Sequence, residues 1–183
     1  DNYGKQGNRT DQLLKRLDQK EIANSIKKAD IILITIGAND VMKVAKENFA
    51  NLQMEPFEKE KPEFQARLTS IFEKINELNP NIQIYLLGFY NPFERYFGNI
   101  EEFGLIVENW NLAGEEVTEE FENAAFIPTA DLFSQTDINL LADDHFHPNT
   151  SGYKLMAERV LESMEEIIVD QAAAVEEEEK AEE

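Results

Sequence analysis

Both histidines of the chain fall inside one short run, Asp143-Asp144-His145-Phe146-His147-Pro148-Asn149. A carboxylate three residues ahead of an imidazole can fold back onto its Nδ1–H across a turn. It would then fix the tautomer and stabilise the imidazolium formed when Nε2 takes a proton. Asp144 and His147 have that spacing. Pro148 restricts His147 to extended or turn geometry, which limits where the ring can go. His145 has Asp143 and Asp144 beside it, but neighbouring side chains point apart, so it reads as a rim or solvent residue. Two other readings stand beside the acid–base pair. Both histidines could be surface loop residues, or Asp143, Asp144, His145 and His147 could ligate a metal, although no matching ligand cluster occurs elsewhere at convincing spacing.

Two further segments carry candidate donors. In "GAND" (37–40), Gly37 permits a sharp turn at the end of an apolar run and Asn39 presents an amide there. An uncharged amide N–H at such a point can stabilise a developing oxyanion. The competing reading is a helix N-cap made by Asn39 or Asp40. In "NYGKQGN" (2–8), the Gly7 N–H is a second candidate donor, with a plain turn as the alternative.

These segments need elements to hold them. Leu13, Leu14, Leu17, Ile22 and Ile26 recur at helical spacing, and Thr10 or Asp11 could cap that helix. "DIILITIG" (30–37) reads as a strand buried on both faces. A short helix follows from about residue 41, then a loop around Pro56. Phe64, Leu68, Ile71, Phe72, Ile75 and Leu78 form a helical stripe, and "NIQIYLLGF" (81–89) is a second strand. Phe103, Ile106, Val107, Trp110, Ala113, Val117 and Phe121 mark another helix. A third strand is expected near 125–128 and a last helix from about Ser151. This alternation predicts a parallel sheet with helices on both faces. Ligands in such sheets bind beyond the carboxyl ends of the strands, where "GAND", "GFYNPF" (88–93) and "DDHFHPN" lie.

In order along the chain, "NYGKQGNRT", "ITIGAND" and "DDHFHPNTSGYKLMAE" resemble the last three blocks of the SGNH hydrolases, the GDSL-type lipases and acylhydrolases. The resemblance covers the chain up to its acidic tail. It implies that Asp144 and His147 are the acid and base, that Gly7 and Asn39 form the oxyanion hole, and that no metal or cofactor takes part. It also implies a flavodoxin-like three-layer α/β/α fold. The family's Gly-Asp-Ser nucleophile block would precede the glycine block, and it does not occur here. None of Ser25, Ser70, Ser134, Ser151 and Ser163 has that context, Ser134 being the least implausible substitute. The chain opens on Asp1, so it is expected to be an N-terminally incomplete domain over residues 1–170 that lacks the first, central strand. By itself it should be inactive. The resemblance further suggests that "GFYNPFERYF" (88–97), Met42, Phe49 and Met54 line an acyl pocket, or else fill core and lid contacts.

The formal net charge is −20, from 17 basic and 37 acidic residues, which opposes binding to nucleic acid or anionic membranes. There are no cysteines, which removes thiolate catalysis and disulfides. No apolar run approaches membrane-spanning length. "QAAAVEEEEKAEE" (171–183) reads as an acidic, solvated tail. The expected partner is a small acyl-ester substrate, with self-association through an exposed strand edge. The resemblance slightly favours an extracellular or envelope location, without any targeting segment in view. Two alternatives stay open: a non-catalytic binding module, and an esterase of O-acetylated carbohydrate.

Overall fold

A computed structural model describes residues 1–48, 53–92, 101–134 and 138–181. The order is α1 (Thr10–Arg16), α2 (Lys20–Ile26), β1 (Ile31–Thr35), α3 (Ala38–Glu47) and α4 (Met54–Leu78), then β2 (Gln83–Leu87), α5 (Glu101–Glu119), β3 (Ala124–Ile127), α6 (Ala130–Ser134) and α7 (Thr150–Ala181). The three strands form a parallel sheet in the order β1-β2-β3, with Leu33 opposite Tyr85 and Leu86 opposite Phe126.

Side chains alternate across the pleat, so each strand feeds two layers. Ile34, Ile84 and Leu86 face the larger core, where they meet Phe64, Leu68, Ile71, Phe72 and Ile75 of α4 and Ile106, Trp110 and Val117 of α5. Phe64 and Trp110 stack at 4.9 Å between ring centroids. Tyr85, Leu87 and Ile127 face the other way, against Met156, Val160, Met164 and Ile167 of α7. This is the three-layer α/β arrangement expected from the alternation of elements. On the α7 side the cover is uneven. Ile31 and Leu33 project to that face and are 42% and 52% exposed, and among the described residues β1 has a partner strand on one edge only.

Three local expectations are corrected. The stripe from Leu13 to Ile26 is two short helices, not one. Asp18 and Gln19 make tight bonds back to the Lys15 and Arg16 carbonyls, and that turn lets Leu17, Ile22 and Ile26 all reach the core. The first helix after β1 starts at Ala38 instead of 41. Pro56 lies in the first turn of α4 and not in a loop. Proline is tolerated there because first-turn N–H groups have no intrahelical partner. Phe49 and residues 93–97 of the aromatic loop lie outside the described residues. The backbone of α7 remains helical into the acidic segment, as far as Ala181. Among the described residues no helix is long and apolar enough to cross a membrane.

One buried contact ties the first helix to the end of the first strand. The Asp40 carboxylate is 3% exposed and accepts the Thr10 N–H at 3.0 Å and the Thr10 hydroxyl at 2.6 Å. Thr10 opens α1, so its N–H is one that helix geometry leaves without a partner. Arg67 of α4 donates to Thr10 Oγ1 at 2.8 Å and reaches Asp40 at 3.4 Å. Desolvation raises the Asp40 pKa, and the Thr10 bonds and Arg67 oppose that shift. Removing the carboxylate leaves the Thr10 N–H and hydroxyl without their acceptor and takes a charge partner from Arg67. Asp40→Ala is expected to destabilise the fold by about 3 kcal/mol, measured by urea denaturation; a change within error of zero would show that the contact does not hold the two segments together.

Candidate active site

The site forms at the carboxyl end of β1, where three loops meet. The first is a turn at residues 5–8, closed by Asn8 N–H on the Lys5 carbonyl at 3.2 Å. Gly7 takes φ +75° in it, a conformation that favours glycine. The second is the exit from β1. Gly37 has φ +110° and stands at the N-cap of α3, and a β-carbon on it would come within 3.2 Å of both Phe64 and Phe89. No other residue meets both conditions without strain. Asn39 is therefore inside the first turn of α3 and does not cap it. Its Nδ2 donates to the Asn8 carbonyl at 3.2 Å, which joins the second loop to the first.

The third loop carries the histidines. His147 Nδ1 lies 2.7 Å from Asp144 Oδ2. The other carboxylate oxygen accepts the backbone N–H of His147 at 2.9 Å and of Phe146 at 3.0 Å. The His147 hydrogen bond and then these two backbone N–H groups hold the Asp144 carboxyl down to about 2, so it is ionised and accepts only. The shared proton therefore sits on Nδ1, and Nε2 is left as the basic nitrogen. The loop reverses through His145, whose φ of +55° is unusual for a side-chain-bearing residue. It closes where Ala142 N–H reaches the His147 carbonyl at 2.8 Å and Leu141 bridges Pro148. Asn149 then caps α7, accepting the Gly152 N–H at 3.0 Å, while its amide donates to the Asn139 and Leu141 carbonyls.

The three loops border common space. Gly7, Asn39 and His147 line one open groove of about 1350 Å³ that runs along β1 and past Tyr153. Asn39, His147 and Tyr153 also line a second cavity of about 210 Å³. Met42, Leu87, Phe89, Val107 and Met156 supply much of its wall, with Tyr90 and Pro92. Of the residues expected around a pocket, Met42, Phe89, Tyr90 and Pro92 are there, whereas Met54 packs against the main core.

The serines lie elsewhere. Ser25 borders the groove but sits in α2, before β1 begins, bonded to Tyr3 and Asp1. A five-residue strand, about 16 Å long, separates it from the carboxyl end where His147 lies. Ser70 bonds the Ala66 carbonyl within α4, and Ser134 faces the Asp131 carbonyl in α6 without lining either cavity. Ser151 and Ser163 belong to α7. Among the described residues no group of three or more His, Asp or Glu side chains is placed to hold a metal ion.

Comparison with known proteins identifies the family. Residues 1–155 match the model of the GDSL-like lipase/acylhydrolase family. The chain belongs to that family. It is 36% identical over 165 residues to YpmR of Bacillus subtilis, covering 89% of this chain and 65% of that protein. It is 28% identical over 174 residues to the spore germination lipase LipC of Bacillus licheniformis, covering 86% of this chain and 74% of LipC. The structure is similar to the lipase Lip_vut3 from a goat rumen metagenome, with TM-score 0.73 and 26% identity over 83% of this chain and 72% of that one. The chain thus spans just under two thirds of the length of YpmR.

The roles of Asp40 and Asn149 in holding these loops escaped the sequence reading, which weighed Asp40 only as a helix cap. Asn149 left a trace in the Pro-Asn that precedes a helix.

The pH dependence of the loop follows from Asp144. A carboxyl with a lowered folded-state pKa contributes stability above the ordinary carboxylate range and loses it as pH falls through the lowered value. The Asp144–His147 contact should persist down to about pH 4 and be lost as pH approaches 2. The Asp144 side-chain carbon resonance, followed by NMR, checks this; a midpoint near the ordinary value of about 4 would contradict it.

Proposed function

We propose that the whole protein is a serine-type carboxylic ester hydrolase acting on esters of linear acyl chains. The observation that carries this reading is that His147, with its Nδ1 on an ionised Asp144, lines the same groove as Gly7 and Asn39. In this reading a serine hydroxyl arrives on a strand paired with the free edge of β1. Its proton passes to His147 Nε2 as Oγ bonds to the ester carbonyl carbon. The carbonyl oxygen becomes an oxyanion, which takes hydrogen bonds from the Gly7 N–H and from the Asn39 N–H not used on Asn8. His147 returns the proton to the leaving alcohol as the C–O bond breaks. A water then hydrolyses the acyl-serine by the same steps.

The smaller cavity supports the choice of substrate class. It adjoins Asn39 and His147 and is walled mainly by apolar side chains. An apolar cavity of about 150 Å³ holds the six carbons of benzene, so 210 Å³ suits an acyl chain of roughly four to eight carbons. An acetyl group would leave most of that wall uncovered. LipC, described as a lipase, is a relative consistent with this reading. In the chain by itself, the same β1 edge with Ile31 and Leu33 exposed is a surface for self-association.

The test is hydrolysis of p-nitrophenyl esters from acetate to decanoate by the whole protein. The rate should peak between butyrate and octanoate, while the 183-residue chain by itself stays at background. Asn39→Ala should lower turnover by roughly two to three orders of magnitude with a nearly unchanged thermal midpoint. A preference for acetate would remove the acyl-chain assignment. Near-normal turnover in Asn39→Ala would remove Asn39 from the site, and inactivity on every ester would refute the esterase reading.

A further inference from the structure

The base is held by its own loop, but that loop is also gripped from the sheet. Tyr90 follows β2 and its hydroxyl donates to the Phe146 carbonyl at 2.7 Å. That carbonyl belongs to the Phe146–His147 peptide, whose N–H donates to Asp144 at 2.9 Å. The peptide is trans, so its C=O and N–H point to opposite edges of one plane. Tyr90 and Asp144 therefore grip the same plane from its two edges, immediately before the Cα that carries the imidazole.

Tyr90 is itself firmly placed. Its ring stacks on Phe133 with centroids 3.8 Å apart. The backbone leading to it is fixed at each step. The Thr129 hydroxyl donates to the Gly88 carbonyl at 2.7 Å, and Gly88 N–H reaches Ile127. The Asn111 side chain of α5 accepts the Phe89 N–H at 3.0 Å and donates to the Phe89 carbonyl at 2.7 Å. An unbroken set of hydrogen bonds runs from α5 and the end of β3, through residues 88–90, to the histidine peptide. Asp144 lies in the histidine's own loop and would move with it. Tyr90 reaches across from the end of β2, the strand beside β1, whose exit leads into the α3 turn that carries Asn39.

We propose that Tyr90 is a positioning residue for His147, setting the height of the imidazole relative to the sheet and hence to the oxyanion donors. Burial raises the Tyr90 pKa, so the phenol keeps the proton this bond requires across the working range of the site. The proposal rests on the reading of His147 as the base.

The test is Tyr90→Phe, which retains the ring on Phe133 and removes only the donor. Two readouts separate the proposal from a general packing role and from the esterase reading. In the whole protein, kcat on p-nitrophenyl butyrate should fall about ten- to a hundredfold with KM and thermal midpoint nearly unchanged, as a small displacement of a reacting group demands. Independently of activity, the low-field proton resonance of His147 Nδ1–H, bonded to Asp144, should broaden or vanish at low temperature. Unchanged kcat together with an unchanged resonance would overturn the proposal. So would a fall in kcat matched by a collapse of the thermal midpoint, which marks a packing role. If the whole protein hydrolyses no ester, the esterase reading fails and the resonance alone decides Tyr90: its loss supports the positioning role and its persistence refutes it.

Discussion

The buried carboxylate of Asp40 sets the relation between the first two loops of the site. It serves a helix that starts thirty positions earlier, accepting the N–H and hydroxyl of Thr10. Asn39, one residue before it, donates to Asn8. These contacts leave the Gly7 turn little freedom to shift against the end of β1. Arg67 brings α4 into the same joint, so the arrangement is locked to the helix with the largest share of the core. A buried carboxylate left without donors would be strongly unfavourable, and the joint is therefore an all-or-none feature of the fold.

The third loop is built on a different principle. It lies on the surface, with the Asp144 and His147 side chains about half exposed, and no core packing holds the imidazole. Its order comes from hydrogen bonds in a short space: Asp144 receives three donors, Ala142 closes the turn, Asn149 caps the helix behind, and Tyr90 reaches in from the sheet. Loops positioned in this way keep a reactive group accessible while fixing its direction. The left-handed backbone of His145 fits the same picture, as a local strain that the surrounding bonds sustain.

β1 has an open side among the described residues. Parallel sheets bury both faces and pair both edges of their inner strands. Here β1 keeps the isoleucine-rich composition of an inner strand, yet among the described residues one edge is unpaired and Leu33 is half exposed. The groove beside it ends at Gly7, Asn39 and His147. Gly7, Asn39 and His147 thus line a groove that runs beside an edge of the sheet without a partner strand among the described residues.

Much of this was legible in the sequence. The alternation of apolar stripes and short apolar runs determined the α/β class and the parallel sheet, because period 3.6 and period 2 bury different faces. The spacing of Asp144 and His147 determined their pairing, since three residues and a proline leave few ways to arrange a turn. The block order determined the family. Tertiary structure alone decided the rest. That Asp40 bonds Thr10 and does not cap α3 depends on two segments meeting in space, and a cap and a distant partner look alike in "GAND". The break between α1 and α2 carries no glycine or proline, and follows from the need of Leu17, Ile22 and Ile26 to reach one core. Tyr90 stood out only as one aromatic among several in its loop. Its hydroxyl acquires a role because the carboxyl ends of β2 and β3 bring it within 2.7 Å of a carbonyl fifty-six positions away, and no local pattern encodes a contact of that span.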